Sequence, residues 1–442
     1  MLGSVRSPNE TARTDRASVP KTAEDDLLWR SALSESAPVR KLVVIARGGS
    51  VALLSALLLS WGNPGVRGTG VEPPRCGRAR STIVGTSGPD QIVGTARRDV
   101  IVARGGADVI RGKGGGDEIC AGPGADVVYG GDGSNYLSGG RGADRLHSGP
   151  SYLNYLRGGR GPDVLRAGKG SDNLLEGNRG NDRLSSRGWN RLVGGSGNDR
   201  LKSRRGGNSM DGGNGNDRLV GGPAFDQLDG QEGDDILLGE KSSDIVWLST
   251  GSDRIDGGPG RNDALFASHS VTVDLSKHQA LGDDLSATLL GIEDLDAEFS
   301  DGPVVFVGDG RPNQFFGSLH DDEFWGRRGN DWFWAAEGDD VIHGGWGRDE
   351  TEAGGFNDAA DGSDEYIGGR GDDLLRGGSG ADRLLGSDGD DRLIGGSGPD
   401  VLEGEAGNDF LNGSGGMNSN DGGDGVDTCL NPDPSHGAVN CE

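Results

Sequence analysis

From Gly85 the chain is written in nine-residue rows: GTSGPDQIV, GTARRDVIV, ARGGADVIR, GKGGGDEIC and AGPGADVVY, then GGRGADRLH, GGSGNDRLK and GGNGNDRLV, to about Phe266. The rows resume at Gly308 with GDGRPNQFF and end at GGDGVDTCL, Gly422 to Leu430. In general form a row reads G-G-x-G-x-D-x-U-x, with U aliphatic. Each letter has a physical reason. Glycines tolerate positive φ, so six residues can reverse the chain and turn backbone carbonyls inward. Aspartate at the sixth position adds a hard anionic oxygen beside those carbonyls, a ligand set suited to calcium. The x-U-x triplet is a minimal strand with one side chain inward and two outward. A flexible linker has no reason to place an aliphatic two residues after every aspartate.

Composition matters because it removes the ordinary alternative. Only 32% of the 442 residues are hydrophobic and 86 are glycine, too little apolar material for two or three thick-cored domains. Such a composition would permit disorder; the period decides against it. One buried aliphatic per row gives a narrow core and little apolar stabilisation, and stacked aspartates repel one another. A cation between them would neutralise that charge and tie neighbouring turns together, making binding and folding one event. The net charge of −26 points the same way, to cations as partners and away from nucleic acid and anionic membrane.

In register, and not merely in composition, the rows resemble the RTX (haemolysin-type) calcium-binding nonapeptide repeat. The resemblance covers Gly85 to Leu430 with one interruption. It implies an all-β fold, a parallel β-roll solenoid with two rows per turn and Ca2+ held between loops stacked on the same side. It also implies two blocks, 85–266 and 308–430, joined by a non-repeat spacer at 267–307. The spacer VTVDLSKHQALGDDLSATLLGIEDL resembles one found between repeat blocks in that family. Carried onto this chain, the metal ligands are Asp90, Asp108, Asp117, Asp126, Asp144, Asp163, Asp172, Asp182, Asp199, Asp217, Asp235 and Asp253 in the first block. In the second they are Asp331, Asp340, Asp349, Asp373, Asp382, Asp391, Asp400, Asp409 and Asp427. Two-row periodicity puts Asp382 and Asp400 on one edge, and Asp373, Asp391 and Asp409 on the other. Between Gly139 and Asp256 intact rows alternate with damaged ones. Asn154, Asn190 and Asn208 replace the acid, Ala224 and Ser242 replace the glycine, and only the row with Asp172 is spared. One edge of the roll should therefore keep its ion column while the other loses it.

The segment 1–62 reads as a secretory signal peptide with a long n-region: Arg40 and Lys41 precede an apolar run, Val51 to Trp61, too short to span a bilayer. A retained membrane anchor is the competing reading. A leader linker, 63–84, follows, and 431–442 caps the far end. Cys76, Cys120, Cys429 and Cys441 lie near the two ends of the chain beyond residue 62. An oxidising compartment favours Cys76–Cys120 and Cys429–Cys441 among the three possible pairings; a zinc site competes, but the spacings fit no zinc pattern. No H-E-x-x-H, nucleophile elbow or P-loop is present, and the six histidines are scattered. The expectation is thus a secreted, extracellular, non-enzymatic calcium-binding protein. Its oligomeric state is unspecified, and a cell-surface or glycan partner is possible.

The alternative is a carbohydrate-binding or carbohydrate-modifying solenoid that uses the aromatics between Phe315 and Trp346. Phe315, Phe324 and Phe333 fall at inward positions, Phe316 and Trp334 on one outer face and Trp325 on the other. A final feature is arginine directly after the site aspartate (Arg145, Arg183, Arg200, Arg218, Arg254, Arg383, Arg392). These are read as offsetting the local acidic field, with a polyanion-binding face as the lesser reading.

Overall fold

The computed structural model describes residues 75–266, 270–298, 300–352, 362–431 and 438–441. The expected signal segment 1–62, most of the leader linker and residues 432–437 of the cap lie outside them. Among the described residues every regular element is a strand, and they wind into a parallel β-solenoid of about 18 turns. Each turn contributes one strand to a first sheet (Val100–Val102, Glu118–Pro123, Tyr136–Arg141 and so on) and one to a second (Gln91–Val93, Val109–Arg111, Val127–Tyr129 and so on).

The triplet x-U-x explains the layering. Leu137 pairs in register with Leu156, and Leu156 with Leu175, all in parallel. The same aliphatic position of the second sheet runs Val128, Leu146, Leu165, Leu184. All are buried. The core is a double file of such side chains, and its flanking residues point outward. Phe306, Phe315, Phe324 and Phe333 occupy the same files and touch one another, with Phe315 and Phe333 stacked at 5.3 Å.

The spacer carries both sheets across. In the first sheet Asp294–Asp296 bridges Asp263–Phe266 and Gln314–Phe316, parallel on both sides. In the second, Leu285–Leu290 pairs parallel with Gly251–Asp256, then antiparallel with Gln279–Gly282. That strand pairs antiparallel with Val271–Asp274, which pairs parallel with Val304–Val307. The second sheet thus receives two more rungs here than the first. Residues 71–442 form one compact unit.

Both ends are stapled as expected. Cys76 of a short antiparallel hairpin (Arg75–Cys76, Ala79–Arg80) is bonded to Cys120, and it packs on the outward Val100 and Val102. Cys429, inward in the last strand, is bonded to Cys441, which lies against the end of the core.

Candidate metal-binding columns

The sixth position of most rows closes a glycine turn that runs from one sheet to the other, and it is buried. Parallel stacking aligns these positions in two columns, one along each edge of the roll. In both, Oδ1 of one residue accepts the backbone N–H of its counterpart one turn earlier. Asp126 donates to Asp144 at 2.8 Å, Asp163 to Asp182 at 2.7 Å, Asp349 to Asp373 at 2.7 Å and Asp391 to Asp409 at 2.8 Å.

The first column holds Asp90, Asp108, Asp126, Asp144, Asp163, Asp182, Asp199, Asp217, Asp235 and Asp253 without a break. Beyond the spacer it continues through Asp322, Asp340, Asp364, Asp382 and Asp400 to Asn418. The second runs from Asp99 and Asp117 into five consecutive asparagines, Asn135, Asn154, Asn173, Asn190 and Asn208, then Asp226, Asp244 and Asn262. It resumes at Asn313 with Asp331, Asp349, Asp373, Asp391, Asp409 and Asp427. Apart from Asp172, the expected aspartates fall into these two columns.

One ligand assignment needs correcting. Asp172 is exposed, and its neighbour Asn173 takes the column position. The cause is an extra residue in the turn that leads into this position, which makes the step from Asn154 to Asn173 nineteen residues long. Five column aspartates escaped the motif: Asp99, Asp226, Asp244, Asp322 and Asp364. Their loops lack one or more of the signature glycines, but a count of eighteen from neighbouring rows finds them.

Three loop chemistries follow. In the commonest, Oδ2 is buried with no hydrogen-bond partner: Asp108, Asp126, Asp144, Asp163 and Asp182 in the first column, and Asp331, Asp349, Asp373, Asp391 and Asp409 in the second, are examples. The row's first glycine leaves the space these atoms use. A Cβ on Gly344 would lie 2.6 Å from both Asp349 Oδ2 and the Gly368 carbonyl oxygen. Burial, reinforced by the neighbouring carboxylates, pushes Asp144 up to about 7, Asp163 to about 8 and Asp340 to about 9, although backbone N–H donors pull the other way. Such an oxygen needs a proton or a cation.

In the second chemistry the protein supplies the donor. Thr86 caps Asp90 and Thr95 caps Asp99 through both N–H and hydroxyl. Ser318 caps Asp322 in the same way, the Gly222 N–H reaches Asp226, and the Tyr366 hydroxyl reaches Asp364. Asp90 therefore heads its column with Oδ2 already capped. In the third, asparagine replaces the acid and, except at Asn190, whose buried Nδ2 has no partner, its amide donates into the loop. Asn135 Nδ2 reaches the carbonyls of Gly131, Gly133 and Ser148; Asn173 Nδ2 reaches Gly170 and Asn190 Oδ1. These amides mark a point on which several acceptors converge. Where aspartate stands instead, the same point lacks a donor, which is the environment a hard cation fits.

The expected aromatic placements are also found. Phe316 pairs with Trp334 on the first sheet, and Trp325 lies on the second, stacked on His343 at 3.7 Å. Eleven segments, most of them overlapping a neighbour, match the sequence profile of the RTX calcium-binding nonapeptide repeat: 84–119, 121–150, 151–184, 171–201, 184–219, 211–246, 229–263, 316–351, 358–393, 385–419 and 394–429. No curated protein matches the chain.

Proposed function

The chain belongs to the RTX calcium-binding nonapeptide repeat family, and on that premise we propose that it is a secreted, non-enzymatic structural or surface protein whose roll is assembled by calcium. One observation carries the reading: file upon file of buried carboxylate oxygens with no donor. Bound there, calcium would supply positive charge and oxygen coordination. The chain's own contribution is the rest. The glycines admit the approach of loop to loop, Oδ1 fixes the spacing of turns, and Oδ2 with the surrounding carbonyls forms the ligand set. The strongest sites on this reading are Asp331 to Asp427 in the second column and Asp108 to Asp253 in the first.

Two closed disulfides support export, because such bonds persist in oxidising compartments. The proposal that the protein is not an enzyme rests on its lack of recognisable catalytic motifs. The glycan alternative through the aromatic strip gains less, since the rings are engaged locally. Trp325 lies on His343, and Trp346 sits between the guanidiniums of Arg328 and Arg370, each at 4.8 Å.

The test is a circular-dichroism titration of the chelated protein. Calcium should produce a β-rich spectrum, and magnesium, smaller and reluctant to dehydrate, should not. A spectrum indifferent to chelator at pH 8 would overturn the proposal. N-terminal sequencing of protein from culture medium tests export.

A further inference from the structure

The acidic net charge conceals a basic band. Between Gly139 and Arg218 the chain carries 15 Lys and Arg against 8 Asp and Glu, inside a protein of net charge −26. Five of those eight acids, Asp144, Asp163, Asp182, Asp199 and Asp217, are buried in the first column. The second column adds no charge in this stretch, because it is asparagine from Asn135 to Asn208.

Parallel pairing puts Arg141, Arg160 and Arg179 in one file of the first sheet and gathers a larger group of the cations on the second. On the outer side of the second sheet one register line reads Arg145, Val164, Arg183, Arg200, Arg218. The line beside it reads His147, Arg166, Ser185, Lys202. The turns that leave this face add Arg187 and Arg205, and every Arg and Lys named here is exposed. Some arginines of the second block are spent on carboxylate partners: Arg383 bonds Glu365 and Glu403, both at 2.7 Å, and Arg376 bonds Glu350 at 3.0 Å. Among the described residues, no Lys or Arg of the band forms an ion pair. Offsetting neighbouring acids therefore accounts for Arg383 and not for Arg183 or Arg200.

We propose that this band docks a linear, uronate-bearing polysaccharide lying along the axis of the roll. Successive rungs are about 4.8 Å apart, close to the rise of one sugar residue in an extended chain, so the arginine files can meet one carboxylate per sugar. The guanidinium fork matches a carboxylate in two-point contact, and arginine outnumbers lysine here. Exposed Trp189 and Tyr152, in the turns at the margin of the face, offer flat rings to sugar faces. A nucleic-acid duplex winds its phosphates away from a flat ladder, and single strands call for successive aromatic platforms along the groove. The acidic remainder of the protein is screened beyond about 8 Å at physiological ionic strength, so the local face decides.

The experiment is calorimetric titration of the full chain, in calcium, with an oligogalacturonide too short to gel. Maltohexaose is the neutral control and a DNA duplex the other polyanion. Binding that weakens with salt is expected for the uronate, with none for maltohexaose. The triple variant Arg183→Gln, Arg200→Gln, Lys202→Gln should lose affinity roughly tenfold or more, while Arg392→Gln in the second block should not. Circular dichroism checks each fold; should the triple variant fail to fold, Arg166→Gln with Arg187→Gln must show the loss instead. Unchanged affinity in a folded band variant would overturn the proposal. So would equal binding of the neutral sugar, or binding of DNA without the uronate.

Discussion

Replacing Asp391 by asparagine should move stability in opposite directions with and without calcium. Asp391 has a column neighbour on both sides: its N–H donates to Asp409 Oδ1 and its own Oδ1 accepts from Asp373, both at 2.8 Å. Asparagine keeps that acceptor and exchanges the unpartnered Oδ2 for a donor of the kind Asn135 already turns on its loop. Burial first, then the charges of Asp409, Asp372 and Asp390, push Asp391 up to about 7 from 3.8. A carboxylate raised in the fold contributes stability below its unfolded pKa, and that contribution is lost as pH rises through the folded value. At pH 8 in chelator its removal should therefore stabilise the roll by about 2–4 kcal/mol, allowing for solvent screening. In calcium the variant loses a charged ligand facing both neighbouring turns. A site at a hundredfold excess over its Kd contributes about 2.7 kcal/mol, so the loss is of the same order and opposite sign. Asp427→Asn, at the end of the column, should raise the calcium midpoint of folding less. The assay is urea denaturation by circular dichroism across a calcium series. Equal midpoints for the two variants, or a chelated Asp391→Asn protein less stable than its parent, would refute the argument.

Acid should substitute for calcium. With Asp126 raised to about 6, Asp144 to about 7 and Asp163 to about 8, mainly by burial, the chelated roll should keep its β spectrum near pH 4–5 and lose it between about pH 6 and 8; loss on acidification instead would contradict the sign. Asn173→Asp removes donors to the Gly170 carbonyl and Asn190 Oδ1, and should cost about 2–3 kcal/mol at neutral pH, read as a lower urea midpoint. Opening Cys76–Cys120, which spans 44 residues, by Cys76→Ser with Cys120→Ser should cost about 4 kcal/mol in the chain-entropy picture. A melting temperature unchanged by that pair of substitutions would show the hairpin to be held by packing on Val100 and Val102 alone.

The roll and its two edges were legible because a nine-residue period leaves one inward side chain and one turn carboxylate per row, and parallel stacking preserves both. What escaped shows the limit of matching a motif. Asp172 fits the signature and Asn173 does not, yet the longer preceding turn hands the column to Asn173. Asp226 and Asp322 sit in loops without the fourth glycine because the Gly222 N–H and the Ser318 hydroxyl do locally what a cation does elsewhere. Spacer topology was hidden for another reason. Alternating apolar residues such as Val271, Val273 and Leu275 describe a half-buried strand equally well in either direction. Only the pairing reveals the two antiparallel contacts there.

The asparagine file and the basic band occupy the same turns, and the coincidence has an energetic consequence. Aspartate at Asn154, Asn173, Asn190 and Asn208 would lower the formal charge of residues 139–218 from +7 to +3. It would also place four carboxylates at the margin of the arginine files. Asparagine keeps the Oδ1 acceptor that spaces the turns, and amides such as those of Asn154 and Asn173 satisfy their loops without an ion. In this stretch the second edge is held by neutral hydrogen bonds while the first retains its acids. Assembly by calcium and a positive outer face can therefore coexist within one turn of the roll, because the acids of the first edge are buried and the second edge carries no charge.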